Sequence, residues 1–217
     1  MALISEQDQT YLRNEFAGLQ PVKLILFTAE SECQYCTETR QITEEVTGLS
    51  DNLALEVYDF TADESVTELY NIDKFPALVV MAGGDTPRDY GIRYYGVPAG
   101  YEFSSLVHDI IMVGGGEVEL AEETNAWLAG LTQPVHFQVF VTPTCPYCPQ
   151  AVLLAHRMAM ASEYVTADMV EANEFPALSQ KYSVMGVPRT VINEHIHVEG
   201  AVPEPMLLAK MQAALAV

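Results

Sequence analysis

Cysteine is scarce in this chain of 217 residues: there are four, and none lies outside two short tetrads. No cysteine is left over for a structural bridge elsewhere. Basic residues are scarce too, 10 against 30 acidic ones, for a net charge of −20. A surface of that sign repels phosphate backbones, which argues against a nucleic-acid partner, and it favours solubility. Apolar runs such as "ALVVMA" (77–82) fall far short of the roughly 18 residues that suggest a membrane span. The stretch "MALISEQDQTYLRNEF" has neither the basic region nor the apolar run of a secretory signal. It reads as an amphipathic helix with Ser5 as N-cap and Gly18 as its stop. The expected location is therefore the cytoplasm, with no membrane partner. A phosphate loop and a dinucleotide glycine fingerprint are also missing, so no cofactor is expected on the chain.

The tetrads are "CQYC" (33–36) and "CPYC" (145–148), set 112 residues apart. Aligned on them, the chain matches itself. Tyr35 meets Tyr147, Asp59 meets Glu171 and Tyr70 meets Tyr182, while "YNIDKFPALVV" (70–80) lies over "YSVMGVPRTVI" (182–192). Pro76 and Pro188 each stand 43 residues beyond the first cysteine of their tetrad. Upstream, "VKLILF" and "VHFQVF" match after a one-residue shift; downstream, Gly96 lies over Gly200 after an eight-residue excess in "AGGDTPRDYG" (82–91). An internal repeat of this length means one unit used twice.

Each copy reads as a buried strand (22–28; 135–141) running into a helix that begins at the tetrad. A second strand (53–60; 164–170), a short helix (63–71; 172–182), a Pro-led strand (77–82; 188–193), a hairpin partner and a closing helix follow. Further helices precede each copy, at 5–17 and around 117–130. The glycine run "VGGGE" (113–117) reads as a linker, dividing the chain into units 1–115 and 116–217.

A Cys-x-x-Cys pair at the start of a helix has a chemical logic. Unpaired N–H groups and the positive dipole end favour thiolate over thiol, and such pairs show pKa values of roughly 3.5–7.5. Cys33 and Cys145 are then the exposed nucleophiles; Cys36 and Cys148, deeper, resolve the mixed disulfide. Pro146 suits a first helical turn. Glu30 and Glu32 add negative charge near the first tetrad, which should leave Cys33 less acidic than Cys145. In a reducing cytosol paired cysteines are catalytic, redox-sensing or metal-binding. A zinc or iron–sulfur scaffold is thus the alternative of another class. Zinc tetrads usually stand roughly 15–20 residues apart, however, and here 108 residues separate Cys36 from Cys145. The five histidines lie away from the tetrads in sequence, and "HIH" (195–197) reads as a solvated hairpin rather than a metal pair.

Strand, Cys-x-x-Cys helix, strand, helix, Pro-led hairpin and helix together resemble the thioredoxin fold, and "CPYC" is typical of glutaredoxins. Two such units with both tetrads kept closely resemble the protein disulfide oxidoreductases, and more loosely the N-terminal part of the alkyl hydroperoxide reductase flavoprotein. The resemblance implies an α/β protein of two tandem thioredoxin-fold units, each a mixed central sheet flanked by helices. It implies that Pro76 and Pro188 are cis and that the backbone of Phe75 or Val187 pairs with a disulfide-bearing substrate segment. Arg189 would sit near the second centre. Phe27 and Val139 stand where thioredoxins keep a buried Asp, and "KFP" and "GVP" replace the Thr-Val-Pro with which glutaredoxins hold glutathione. The implied activity is protein dithiol–disulfide exchange at Cys33/Cys36 and Cys145/Cys148. Its partners would be disulfide-containing proteins, a thioredoxin-reductase-like flavoenzyme for recharging, and a peroxiredoxin if the chain is instead an electron carrier to a peroxidase.

Overall fold

The computed structural model describes residues 2–31 and 33–216. Its organisation starts from runs such as "LILF" (24–27), every side chain of which is buried. Leu24 and Leu26 enter one apolar core, and Ile25 and Phe27 enter a second. A strand alternates its side chains between faces, so a continuous apolar run marks a strand covered on both sides. "VHFQVFV" repeats this in the second copy: Phe137, Val139 and Val141 join the first core and Phe140 the second.

The first half runs α1 (Glu6–Glu15), β1 (Val22–Thr28), α2 (Cys36–Thr47), β2 (Leu53–Asp59), α3 (Glu64–Leu69), β3 (Ala77–Ala82), β4 (Arg88–Tyr95) and α4 (Glu102–Gly115). The second repeats that order as α5 (Glu122–Ala129), β5 (Val135–Val141), α6 (Cys148–Ala161), β6 (Val165–Glu171), α7 (Pro176–Lys181), β7 (Arg189–Ile192), β8 (Ile196–Glu199) and α8 (Glu204–Leu215). The strands form one eight-stranded sheet in the order β2-β1-β3-β4-β6-β5-β7-β8. Within each half the first two strands are parallel and the hairpin is antiparallel. The halves meet where β4 pairs in parallel with β6, Ile92–Tyr95 against Ala167–Val170. The joint is head-to-tail: the hairpin edge of one half meets the opposite edge of the other. Residues of α1, α2, α4, α6 and α8 share the larger core on one face; the smaller core lies on the other, under α3 and α7. No helix among the described residues is long and apolar enough to cross a membrane.

Two segments differ from the sequence expectation. The "VGGGE" run is not a linker throughout, because α4 continues through Gly114 and Gly115. Gly114 is there for close approach: a Cβ would fall 2.9 Å from Leu19 Cβ and 3.1 Å from Val22 Cγ2, and its carbonyl accepts the Gln20 N–H at 2.9 Å. The eight-residue excess of the first copy is also not all turn. It lengthens the hairpin, whose strands have six and eight residues against four and four in the second copy.

Candidate active site

Both tetrads follow the end of a buried central strand, and both are closed into disulfides, Cys33–Cys36 and Cys145–Cys148, with Cα atoms 5.5 Å apart. The helices begin at the second cysteine of each pair, after Tyr35 and Tyr147 as N-caps. Pro146 therefore stands ahead of the helix rather than in its first turn, where Pro149 is found. A turn sets this boundary, with the Cys145 N–H donating to the Thr142 carbonyl at 3.1 Å and the Cys148 N–H to the Cys145 carbonyl at 3.4 Å. Cys36 is 5% exposed and Cys148 0%, while Cys33 is half-buried and Cys145 is only 7% exposed. In the oxidised pair the second centre is thus the more enclosed one, rimmed by the exposed Tyr147. Of the two carboxylates expected near the first centre, Glu30 is exposed to solvent, and Glu32 lies outside the described residues.

The peptide bonds Phe75–Pro76 and Val187–Pro188 are cis. Both prolines are buried, and Phe75 and Val187 are half-buried beside them, Phe75 with its ring 4.9 Å from that of Phe60. The two copies hold these prolines alike. Gly96 N–H donates to the Pro76 carbonyl at 2.9 Å and Gly200 N–H to the Pro188 carbonyl at 2.8 Å. Arg189 does not follow this pattern toward the sulfurs. It pairs across the sheet with Phe140, on the face away from the core that contains Cys145 and Cys148, and its guanidinium donates to Glu199 at 2.6 Å. Neighbouring strand residues alternate faces, so the side chain after Pro188 is sent to that side.

A buried carboxylate missed in the sequence, Glu102, lies on the helix whose start is tied to the second tetrad's loop. Tyr101 N–H donates to the Pro143 carbonyl at 3.0 Å, tying the start of α4 to the tetrad loop. The approach is close enough that Gly100, at φ +61°, has no room for a Cβ against that same carbonyl. Further along, Asp109 Oδ2 of α4 lies 2.5 Å from His156 Nδ1 of α6. The two helices thus run side by side in parallel, with the start of α4, where Glu102 is, tied to the loop that leads into α6. Glu102 is 1% exposed and one oxygen accepts from Ser105 Oγ at 2.7 Å. Burial pushes its carboxyl up to about 7. Asp109 and His156 are both fully buried, and Tyr94 Oη also donates to Asp109 Oδ2. The clue was in the sequence: Glu102, Ser105 and Asp109 share one face of a helix whose other buried residues carry no polar side chain, and His156 lies two turns below Cys148. His195 and His197 hold no such cluster, and no group of metal-ligating residues occurs among the described residues.

Comparison with known proteins gives three kinds of likeness. A family model described as a thioredoxin domain matches residues 135–212. Among solved structures, the chain is 30% identical to a protein disulfide oxidoreductase from Aeropyrum pernix, covering 98% of this chain and 94% of that one with a TM-score of 0.89. It is 26% identical to the NTD_N/C domain of alkylhydroperoxide reductase AhpF from Enterococcus faecalis, covering 96% and 99% with a TM-score of 0.87. Among curated proteins, it is 28% identical over 156 residues to the F component of alkyl hydroperoxide reductase from Staphylococcus epidermidis, 72% of this chain but 30% of that one. The chain spans about a third of the length of the curated relatives it matches.

Proposed function

Because the chain belongs to the protein disulfide oxidoreductases, thioredoxin-fold proteins with two Cys-x-x-Cys pairs, we propose that it exchanges dithiols and disulfides with other proteins in the cytoplasm. The observation that carries this reading is the arrangement of each pair: two sulfurs bonded to each other at a helix start, the second more deeply buried than the first. In the reducing direction the Cys145 thiolate attacks one sulfur of a substrate disulfide. A mixed disulfide forms and a substrate thiolate leaves. Cys148 then attacks Cys145 Sγ, so the substrate departs as a dithiol and the pair is left oxidised by two electrons. Cys148 must lose its proton for that second step, and the proposed acceptor is Glu102, a buried carboxyl raised to about 7 on the helix tied to the tetrad loop. Cys33 and Cys36 act in the same order in unit 1–115, and the second centre, in unit 116–217, is the principal one. The substrate segment lies against the backbone of Phe75–Pro76 or Val187–Pro188, with Arg189 bracing the hairpin behind the second groove. The electrons come from a thioredoxin-reductase-like flavoenzyme.

A second reading has its own support. The likeness to the N-terminal domain of the hydroperoxide reductase suits a dithiol carrier that passes electrons toward a peroxiredoxin. The test is turnover with dithiothreitol as donor. The expected result is reduction of insulin disulfides by catalytic amounts of the protein. Peroxide turnover with a peroxiredoxin, without insulin reduction, would give the chain to the carrier reading.

A further inference from the structure

The repeat is broken at one position in a way that crosses the joint between the halves. Glu171 and Asp59 are counterparts, and each carboxylate accepts the N–H three residues on, Glu174 at 2.7 Å and Ala62 at 2.8 Å. The residue so held is an alanine beside the outer strand β2, but a glutamate beside β6, which is covered by β4. Glu174 uses that position. Its Oε1 accepts the Val97 N–H at 2.7 Å, a bond from the second unit to the first.

The contact lies directly behind the first groove. Val97 follows Gly96, whose N–H donates to the Pro76 carbonyl at 2.9 Å. Gly96, at φ +93°, is the residue that lets the carboxylate in: a Cβ there would fall 2.7 Å from Glu171 Cβ and 2.8 Å from Glu174 Oε1. Phe175, next in the chain, sets its ring edge-on to Tyr95 at 6.4 Å. Burial, with the charges of Glu171 and Glu38 beside it, raises the Glu174 carboxyl to about 7 against the lowering effect of the Val97 hydrogen bond. Glu38 stands in the first turn of α2, two residues after Cys36. The carboxylate is thus within electrostatic reach of the helix that carries the first centre.

We infer that Glu174 is a positioning residue for the first redox centre, supplied by the second unit: it fixes the 96–97 backbone that in turn fixes the Pro76 carbonyl. Pro76 then presents its groove to substrate only when the two units are docked. The inference rests on the role proposed for that groove.

The test uses full-length protein with a single working centre, either the first (Cys145→Ser/Cys148→Ser) or the second (Cys33→Ser/Cys36→Ser), and follows the rate of exchange with a disulfide-bearing protein. Loss of one positioning hydrogen bond is expected to slow the first centre about fivefold to tenfold in Glu174→Ala and leave the second centre unchanged. Glu174→Gln, whose amide oxygen still accepts the Val97 N–H, recovers the rate to within about twofold of the parent. Glu174→Asp, one methylene shorter, withdraws the acceptor and matches the alanine variant; it supplies the comparison if that variant fails to fold. Unchanged rates in both Ala and Asp, equal slowing of both centres, or a Gln variant as slow as Ala would overturn the inference. A parent first centre that exchanges with no disulfide would instead overturn the proposed function.

Discussion

Cys145→Ser is expected to lower the rate at which the protein reduces insulin disulfides by at least about 10³-fold in a background where only the second centre works. A serine hydroxyl is not ionised near neutral pH and forms no S–S bond, so the first attack has no nucleophile and no mixed disulfide to offer Cys148. In the otherwise unaltered chain the same substitution leaves the first centre's contribution, and Cys33→Ser leaves the larger part of the activity. Cys148→Ser behaves differently from Cys145→Ser. Attack still occurs, but nothing resolves the intermediate, so substrate accumulates as a covalent adduct that a reducing gel releases. Cys148 is 0% exposed, which is why it cannot exchange places with Cys145 as the attacking group. Equal loss from either substitution without trapped adduct would contradict the assigned order.

Glu102→Gln is expected to move stability and activity in opposite directions. In the unfolded chain this carboxyl titrates near 4.5, and in the folded protein burial raises it to about 7. Below the lower value both states hold the proton and the group has no effect. Between the two the folded state keeps a proton that the unfolded state has released, so stability falls as pH rises. Above about 7 the full penalty of a buried charge is present, roughly 3 kcal/mol. Glutamine, always neutral, removes it. Urea denaturation should therefore show the variant more stable at pH 8 and little changed at pH 4. Exchange at the second centre should meanwhile fall by about 10²-fold, the usual worth of a positioned proton acceptor. A variant both less stable at pH 8 and fully active would refute the role given to Glu102.

Much of the molecule can be read from local pattern. The tetrads and the matched spacing of Pro76 and Pro188 disclose the duplication, and "LILF" and "VHFQVF" disclose strands covered on both faces. What the repeat cannot disclose is how its copies dock, since alignment treats the halves as equals and says nothing about which edges meet. The pairing of β4 with β6 is a fact of tertiary structure, and the residues missed depend on it. Glu102 belongs to the first half, on a helix whose start is tied to the second tetrad's loop; Glu174 belongs to the second and accepts the Val97 N–H beside the residue that holds Pro76. Gly114 misleads for a related reason: a glycine chosen for close packing against Leu19 and Val22 looks, in sequence, like one chosen for flexibility. Adjacency to Pro188 in sequence points Arg189 at the sulfurs, whereas strand alternation sends it to the opposite face and to Glu199.

If both tetrads are two-electron couples, an equilibrium redox titration will resolve them. The protein is poised in graded thiol–disulfide buffers, free thiols are trapped by alkylation, and the peptides holding Cys33/Cys36 and Cys145/Cys148 are quantified by mass. Each pair is expected to pass from dithiol to internal disulfide in a single two-electron transition, with a potential of its own. Thiols that form no internal disulfide and stay masked until a chelator is added would make the tetrads metal ligands and contradict the redox assignment.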